Sequence, residues 1–214
     1  DMLKHALDKI EQDGGLDAQV VFIGDYVDRG PDSRGVIEYL MQGVATGKNW
    51  ICLLGNHDRM FSLFMEEQPR SDLRLRIRYS WLHDRLGGKD TLASYDVEVS
   101  DEDTLLDVHS KARAAVPHTH LEFLQSLPYS HQVDKLLFVH AGIRPGLAFE
   151  EQDQNDLIWI RDEFHQDTRK YPWLVVHGHT PVAQATNYGN RVNLDTGAGY
   201  GKQLTSAVFE GEDC

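Results

Sequence analysis

The sequence predicts an α/β fold, and two of its features support that prediction. Short apolar runs of strand type recur along the chain, at 20–23, 50–54, 135–139 and 173–176. A helical pattern separates the first two runs, which is the arrangement of a βαβ unit with parallel strands. Each run is followed within one to three residues by a polar side chain, which is where open α/β sheets carry ligand chemistry.

The first part of the chain supplies the elements of that unit. Residues 1–10 form a predicted helix, since Leu3, Leu7 and Ile10 repeat at helical spacing and Asp1 can cap it. The run at 20–23 is apolar and mostly β-branched, so we expect a strand buried on both faces. A turn at 31–33 then starts a predicted helix at 34–41, before the second strand.

The middle of the chain, about 61–132, predicts a helical cap or insertion and carries no recognisable chemical motif. Helical patterns cover 60–86, 89–95 and 117–127. The first of them contains an arginine patch, which we interpret first as a solvated helix face and second as a substrate-recruiting surface. Its members are Arg70, Arg74, Arg76 and Arg78.

The last part of the chain returns to strands. After the runs at 135–139 and 173–176, two closing strands are predicted at 191–195 and 204–209. The sequence contains no internal repeat, low-complexity tract or linker. We therefore predict one domain over 1–214.

Composition limits the classes of partner and compartment. The 214 residues carry a formal net charge of −13, which argues against a nucleic-acid backbone as the main partner. No apolar run approaches the roughly 20 residues of a membrane span, and no signal peptide is visible. The two cysteines, Cys52 and Cys214, do not form a disulfide framework, so a reducing cytoplasm is predicted. The oligomeric state is left open.

The polar residues at the strand ends predict a metal site. Asp25, Asn56, His140 and His179 follow four different strands and should converge on one edge of the sheet. Oxygen and nitrogen donors of this kind suit a borderline divalent cation. The alternatives are a solvated acidic turn for the first loop and hydrogen-bonded structural roles for the histidines. That first loop, 24–30, also offers a guanidinium suited to phosphate.

The motifs GDYVDRG, GNHD, VHAG and VHGHTP occur in this order, together with DLIWIR and a final NLDTGAGYGKQLTSAVF. Through these motifs the chain resembles the calcineurin-like metallophosphoesterases. Within that family it is most similar to the bacterial and phage-lambda type of serine/threonine protein phosphatase. The resemblance implies a metallophosphoesterase-type β-sandwich flanked by helices. It also implies hydrolysis of phosphoesters by a metal-bridging hydroxide.

The resemblance assigns roles to particular residues. Asp25 would bridge two metal ions, and Asn56, His140 and His179 would complete the second metal site. His57 would be the general acid for the leaving oxygen, oriented by Asp28, while Arg29 and Arg161 would grip the phosphoryl oxygens. Manganese is the expected metal, with iron, zinc and nickel as alternatives.

One part of the family pattern is missing. The family opens with a strand and the motif Gly-Asp-x-His-Gly, whose Asp and His bind the first metal ion, and no such string occurs here. Because the other motifs are intact, we expect a lost N-terminal segment rather than a defective member. The chain as given should then hold one metal ion at best, and its activity is in doubt.

Three functions fit the sequence. The first is a phosphomonoesterase acting on phosphoserine or phosphothreonine protein. The second keeps the same chemistry on another substrate, the symmetrical hydrolysis of diadenosine tetraphosphate. The third is an inactive scaffold. The missing first-metal motif supports it, and the presence of His57, Arg29 and Arg161 argues against it.

Overall fold

The computed structural model describes residues 2–15, 17–77, 79–211 and 214. Its helices are α1 (Met2–Gly14), α2 (Ser33–Ala45), α3 (Asn56–Phe64), α4 (Gly88–Ala93), α5 (Leu105–Ala115), α6 (His118–Ser126), α7 (Gln154–Trp159) and α8 (Asp162–His165). Its strands are β1 (Val20–Phe22), β2 (Trp50–Cys52), β3 (Ser130–Val133), β4 (Leu136–Val139), β5 (Leu174–His177), β6 (Thr186–Asn187) and β7 (Arg191–Asn193). Single 3-10 turns occur at Phe149–Glu151 and Ala198–Tyr200.

The β1–α2–β2 segment is the predicted βαβ unit. β1 and β2 pair in parallel with Val20 opposite Trp50. Helix α2 begins after Asp32, whose carboxylate accepts a hydrogen bond from the backbone N–H of Gly35 at 2.9 Å. β1 is half-buried, so the expectation that it is buried on both faces was wrong. The parallel pairing sets the loops after β1 and β2 side by side.

A second sheet of five strands holds the remaining site loops, in the order β3-β4-β5-β7-β6. The central strands β4, β5 and β7 run parallel, while β3 and β6 pair antiparallel at the two edges. Because β4 and β5 are parallel neighbours, the loops that follow them leave the same edge of the sheet. His140 and His179 lie on those two loops.

The two sheets pack against each other through a common apolar cluster. It joins Leu136, Phe138, Val176 and other buried side chains of the second sheet to Val21 and Ile51 of the first. A larger apolar cluster packs helices α1 to α6 around the first sheet. This is the mixed α/β architecture with flanking helices that the sequence predicted.

Several predicted elements differ from the structure. Residues 65–77 and 79–86 are turns and irregular chain instead of helix, because hydrogen bonds to the buried carboxylate of Asp72 anchor this stretch. The arginine patch is therefore not a helix face, and Arg78 lies outside the described residues. Helix α1 continues to Gly14, past the predicted end at residue 10, and the proposed cap at Asp1 also lies outside the described residues.

The prediction also failed at several shorter elements, including α7 and α8, for which no helix was predicted. Helix α5 was missed although Thr104 and Asp107 form a capping box at its start. The edge strands β3 and β6 were missed because they are short and polar. No strand forms over 204–209, where Leu204 and Val208 are exposed.

Across the described residues, every helix is too short or too polar to cross a membrane. The division into one domain, with an insertion over about 61–132, stays a prediction.

Candidate metal and catalytic site

Four residues of the site loops have backbone torsions that L-amino acids rarely adopt. The φ angles of Asp25, Asp28, Arg29 and His179 are 61°, 74°, 62° and 67°. Such left-handed residues cost free energy and persist only where the surroundings fix them, which is common at functional sites. The residue before Asp25 is Gly24, with φ 94°. Any other residue at this position would place a Cβ 2.6 Å from the backbone nitrogen of Gly55. The loop after β1 is thus pressed closely against the loop after β2.

The carboxylate of Asp58 joins these two loops. It accepts hydrogen bonds from the backbone N–H groups of Asp25, Tyr26 and Gly55, each at 2.8 Å. Burial and the nearby charge of Asp25 raise the pKa of Asp58 to about 7, although these three N–H donors act in the opposite direction. Sequence reasoning missed this role of Asp58, because nothing in the sequence shows which backbone groups a side chain will reach.

Asp25, Asn56 and His140 present lone pairs to one another. His140 Nδ1 lies 2.7 Å from the carbonyl oxygen of Ile23 and donates to it, which leaves the lone pair of the neutral ring at Nε2. That Nε2 lies 3.0 Å from Asn56 Oδ1 and 3.4 Å from Asp25 Oδ2. The other oxygen of Asp25 accepts from the backbone N–H of His57 at 3.0 Å. With His140 neutral, three acceptor atoms face each other here, and either a proton on His140 Nε2 or a cation satisfies them.

His179 completes the set. Its Nε2 is buried and has no hydrogen-bond partner among the described residues. One ligand atom from each of Asp25, His140 and His179 lies within 4.8 Å of the others. Unpaired buried acceptors of this kind are costly unless a cation satisfies them, so these residues fit a divalent metal ion.

The pKa values of these groups reflect their mutual charges. Burial alone would raise the pKa of Asp25, but the imidazoles of His140 and His57 outweigh it and hold the pKa well below its usual value. Burial lowers the pKa of His140, but the charge of Asp25 and the hydrogen bonds to Asp25 and to the carbonyl of Ile23 together outweigh it and raise the pKa. For His179, burial and then the charges of His140 and Arg161 lower the pKa well below its usual value. His179 is therefore neutral, the form in which histidine binds metals.

His57 and Asp28 form a buried pair beside the metal donors. His57 Nδ1 lies 2.5 Å from Asp28 Oδ2. Asp28 is itself fixed, because Thr91 Oγ1 donates to Oδ1 at 2.7 Å and Trp81 Nε1 donates to both oxygens at 3.0 and 3.1 Å. The ring of His57 is thereby oriented with its proton on Nδ1 and with Nε2 directed away from Asp28.

Arg29 approaches the other side of that ring. Its Nη2 lies 3.0 Å from His57 Nε2, and its guanidinium stacks on the ring of Tyr200 with 4.7 Å between the guanidinium carbon and the ring centroid. Since an arginine always donates, His57 Nε2 is an acceptor in this arrangement. Tyr200, which sequence reasoning missed, lies in the glycine-rich loop near the C-terminus and gave no separate signal.

Arg161 lies near His179, on whose pKa its charge acts. It is exposed and lines a cavity of about 420 Å³ together with Trp159 and residues of the irregular 71–79 stretch. The ring of Trp159 meets that of His179 edge to face, with 5.9 Å between centroids. The cavity therefore adjoins the metal donors, which the sequence could not indicate.

His177, two residues before His179, is fully buried, and its surroundings fit a structural role. Its Nδ1 lies 3.1 Å from the carbonyl oxygen of Gly178, and its ring packs on Phe164 and His165. Burial lowers its pKa to about 3. It does not join the metal donors identified above.

Fold and site together define a metallophosphoesterase. The family model described as calcineurin-like phosphoesterase matches residues 1–204, so the chain belongs to that family, whose members depend on metal ions. The resemblance read from the motifs is confirmed. The chain is thus a phosphoester hydrolase by family.

Two curated relatives are asymmetrical bis(5'-nucleosyl)-tetraphosphatases PrpE. The protein from Anoxybacillus flavithermus is 27% identical over 208 residues, with 89% of this chain and 75% of the relative covered. The protein from Bacillus cereus is 24% identical over 209 residues, with the same coverage. A solved structure of a cold-active protein tyrosine phosphatase matches with a TM-score of 0.50 and 16% identity, over 92% of this chain and 65% of the other. That likeness shows the fold alone.

Proposed function

We propose that the chain hydrolyses phosphoesters with His57 as the proton donor to the leaving oxygen and with a divalent cation at the neighbouring donors. The observation that carries this proposal is that His57 contacts both a metal donor, Asp25, and an orienting carboxylate, Asp28. The backbone N–H of His57 donates to Asp25 at 3.0 Å, while its side chain is held by Asp28 at 2.5 Å. One residue thus links the metal donors to an oriented acid.

The residues that would hold the cation are Asp25, Asn56, His140 and His179. When bound, a cation there would supply positive charge to the phosphoryl oxygens and lower the pKa of water. Manganese is our proposed ion, because this mixed oxygen and nitrogen set accepts it along with iron, zinc or nickel. The four donors provide for one ion. A dinuclear centre would need further ligands, for which the family motif Gly-Asp-x-His-Gly is the expected source.

The protein's own groups perform the remaining work. Protonated His57 offers a proton at Nε2, and Asp28 stabilises the resulting charge and keeps the ring in place. For that proton to reach a substrate oxygen, the guanidinium of Arg29 must turn from Nε2 toward the phosphoryl group. Arg29 and Arg161 would then bind the equatorial oxygens, whose charge spreads in the transition state.

The experiment that tests the acid varies the leaving group. His57→Ala is compared with the unchanged chain on p-nitrophenyl phosphate, whose leaving group needs little protonation, and on O-phosphoserine, whose leaving group needs it fully. We expect turnover of phosphoserine to fall by about 10² or more, and turnover of the aryl ester to fall much less. Equal losses on both substrates would remove His57 from the role of acid.

Two substrate candidates remain for this chemistry. The motif resemblance favours a phosphoserine or phosphothreonine protein. The names of the relatives favour a dinucleoside tetraphosphate, although identities of 24% to 27% leave the substrate open. The donors for one ion and the His57–Asp28 pair speak against an inactive scaffold.

Product analysis separates the candidates. Release of inorganic phosphate from a phosphopeptide supports the protein phosphatase. Two molecules of ADP from diadenosine tetraphosphate would indicate the symmetrical cleavage that the sequence analysis expected, and ATP with AMP the asymmetrical cleavage of the relatives' names. Failure on all substrates in a chain shown to contain metal would favour the scaffold.

The cellular setting stays a proposal. Cys52 and Cys214 are free in the structure, and burial raises the pKa of the Cys52 thiol to about 12, which makes it unreactive. Free thiols are usual in a reducing compartment. We propose a bacterial cytoplasmic enzyme on this basis and on the bacterial origin of the relatives.

A further inference from the structure

We infer that the cavity beside His179 is a specificity subsite for a nucleoside phosphate. It would bind the part of the substrate that does not react, by a base stacked on aromatic rings and a distal phosphate held by arginines. That the bound molecule is a substrate rests on the proposed function. The lining residues are Arg74, Leu75, Arg76, Tyr79, Trp159 and Arg161.

The wall of the cavity is fixed by Asp72. This buried carboxylate accepts from Trp159 Nε1 at 3.2 Å and from Arg59 Nε at 2.7 Å. Its other oxygen accepts from the backbone N–H of Arg74 at 2.9 Å. The irregular stretch that replaced the predicted helix is thereby tied to helix α7. A cavity held in this way needs little ordering when a ligand enters.

A second buried carboxylate, Asp156, fixes Arg74 at the wall of the cavity. Arg74 Nη2 donates to it at 2.8 Å, and Arg144 donates to it through Nε at 2.6 Å and Nη2 at 3.0 Å. Arg144 Nη1 also lies 3.4 Å from Glu163, so the charges of these two arginines are balanced by two carboxylates.

Arg76 and Arg161 add further positive charge to the lining. Within the part of the chain that the structure describes, neither has a carboxylate within 4.0 Å. Free arginines that face a cavity are suited to phosphate, since the guanidinium fork pairs with two of its oxygens. They are also unusual in a chain with a net charge of −13.

The lining of the cavity also contains aromatic rings on which a base can stack. Trp159 and Tyr79 lie in the same lining as the free arginines. Stacking of a base on an aromatic side chain is worth about 1–3 kcal/mol, and it is available to any nucleobase. A phosphoserine peptide has no flat ring at the corresponding place. The combination therefore favours a nucleotide over a phosphopeptide.

The position of the cavity makes it a subsite of the proposed site. Trp159 contacts the ring of His179, and Arg161 is one of the charges that act on His179. A ligand in the cavity would therefore extend from a phosphoryl group at the metal donors. At about 420 Å³ the cavity falls in the size range of small-molecule sites.

The test measures binding to the metal-free full chain by calorimetry. The probes are ATP, inorganic tripolyphosphate and a phosphoserine peptide. The variants are Tyr79→Leu, which removes a stacking ring, and Arg76→Gln, which removes a charge. Arg70→Gln is the matched control, because this exposed arginine of the same patch pairs with Glu66 and does not line the cavity. All three changes lie at the surface, and thermal melts check that each variant folds.

We expect ATP to bind more tightly than tripolyphosphate. Tyr79→Leu should weaken ATP binding by about tenfold, the loss of one stacked base, and leave tripolyphosphate unchanged. Arg76→Gln should weaken both anions, and Arg70→Gln neither. Equal affinity for ATP and tripolyphosphate, tighter binding of the peptide, or an equal effect of Arg70→Gln would each overturn the subsite.

A kinetic comparison keeps this inference apart from the proposed function. In the metal-loaded chain, Tyr79→Leu should raise KM for diadenosine tetraphosphate about tenfold and leave hydrolysis of O-phosphoserine, which has no ring to stack, unchanged. Loss of hydrolysis of every substrate, with selective ATP binding intact, would sink the proposed function alone. Intact aryl phosphate hydrolysis without ATP binding would overturn the subsite alone.

Discussion

Asp28 Oδ2 and His57 Nδ1 lie 2.5 Å apart in the structure. The pair is almost fully buried, and Asp28 is held in turn by Trp81 and Thr91 from the stretch that precedes and includes α4. The orientation of the proposed acid therefore depends on residues far along the chain from both members of the pair. Asp28 also has a left-handed backbone, which aims its carboxylate back into the protein.

We predict that Asp28→Asn lowers kcat on O-phosphoserine by about 10², the contribution typical of one oriented acid. The amide would still contact Trp81 and Thr91, but its N–H₂ group would favour the other tautomer of His57. Steady-state kinetics with metal analysis checks this. An unchanged kcat at full metal content would show that the pairing does not matter for proton donation.

We predict that His179→Ala removes bound metal, whereas His57→Ala keeps it. His179 Nε2 is a buried potential metal ligand without a hydrogen-bond partner among the described residues. The ring nitrogens of His57 instead contact Asp28 and Arg29. Elemental analysis of both variants after manganese loading and dialysis gives the measurement. Equal metal content in the two variants would contradict the division of the histidines into ligand and acid.

We predict that Arg161→Ala mainly raises KM for a small phosphoester, by about tenfold for the loss of one charged hydrogen bond. Arg161 is exposed at the start of α8, so the fold should not change. Kinetics on p-nitrophenyl phosphate measures the effect. The control is Arg169→Ala, since Arg169 is exposed and its partner Asp167 lies two residues away on the same loop. Equal kinetics for both variants would take Arg161 out of the site.

We predict that Asp58→Ala lowers the free energy of unfolding by about 3 kcal/mol, because three backbone N–H groups lose their acceptor. Urea denaturation measures the loss, with the exposed Asp101→Ala as control. A loss no larger than that of the control would mean that the two site loops do not depend on this carboxylate.

We predict that Gly43→Ala destabilises the fold by about 1–3 kcal/mol through overpacking. A Cβ at this position of α2 would lie 2.0 Å from the ring of Trp50 on β2. Gly47→Ala is an unsuitable control because its φ is 79°, so Gln42→Ala on the same helix serves instead. Thermal unfolding that shows equal stability for the two variants would mean that helix and strand can separate at no cost.

Local patterns were sufficient for much of the fold. The β1–α2–β2 unit and the core strands β4, β5 and β7 were predictable, because apolar runs bounded by turns reflect burial directly. The stretch 65–86 was not, since its structure depends on the long-range acceptor Asp72 and not on its own periodicity. The edge strands β3 and β6 lack an apolar signal because their side chains are only partly buried.

By itself, the sequence determined the family and the residue types of the site. Ends of parallel strands lie close together, so Asp25, Asn56, His140 and His179 could be grouped before any coordinates. The expectation of a single sheet edge was wrong, because Asp25 and Asn56 follow strands of the first sheet and His140 and His179 follow strands of the second. Only the tertiary structure decided how those groups are held and what lies beside them. The Asp58 clamp, the left-handed backbones and the Trp159 cavity all arise from contacts between distant segments. The chain's local pattern carries no record of such contacts, because they form only when the loops are packed together.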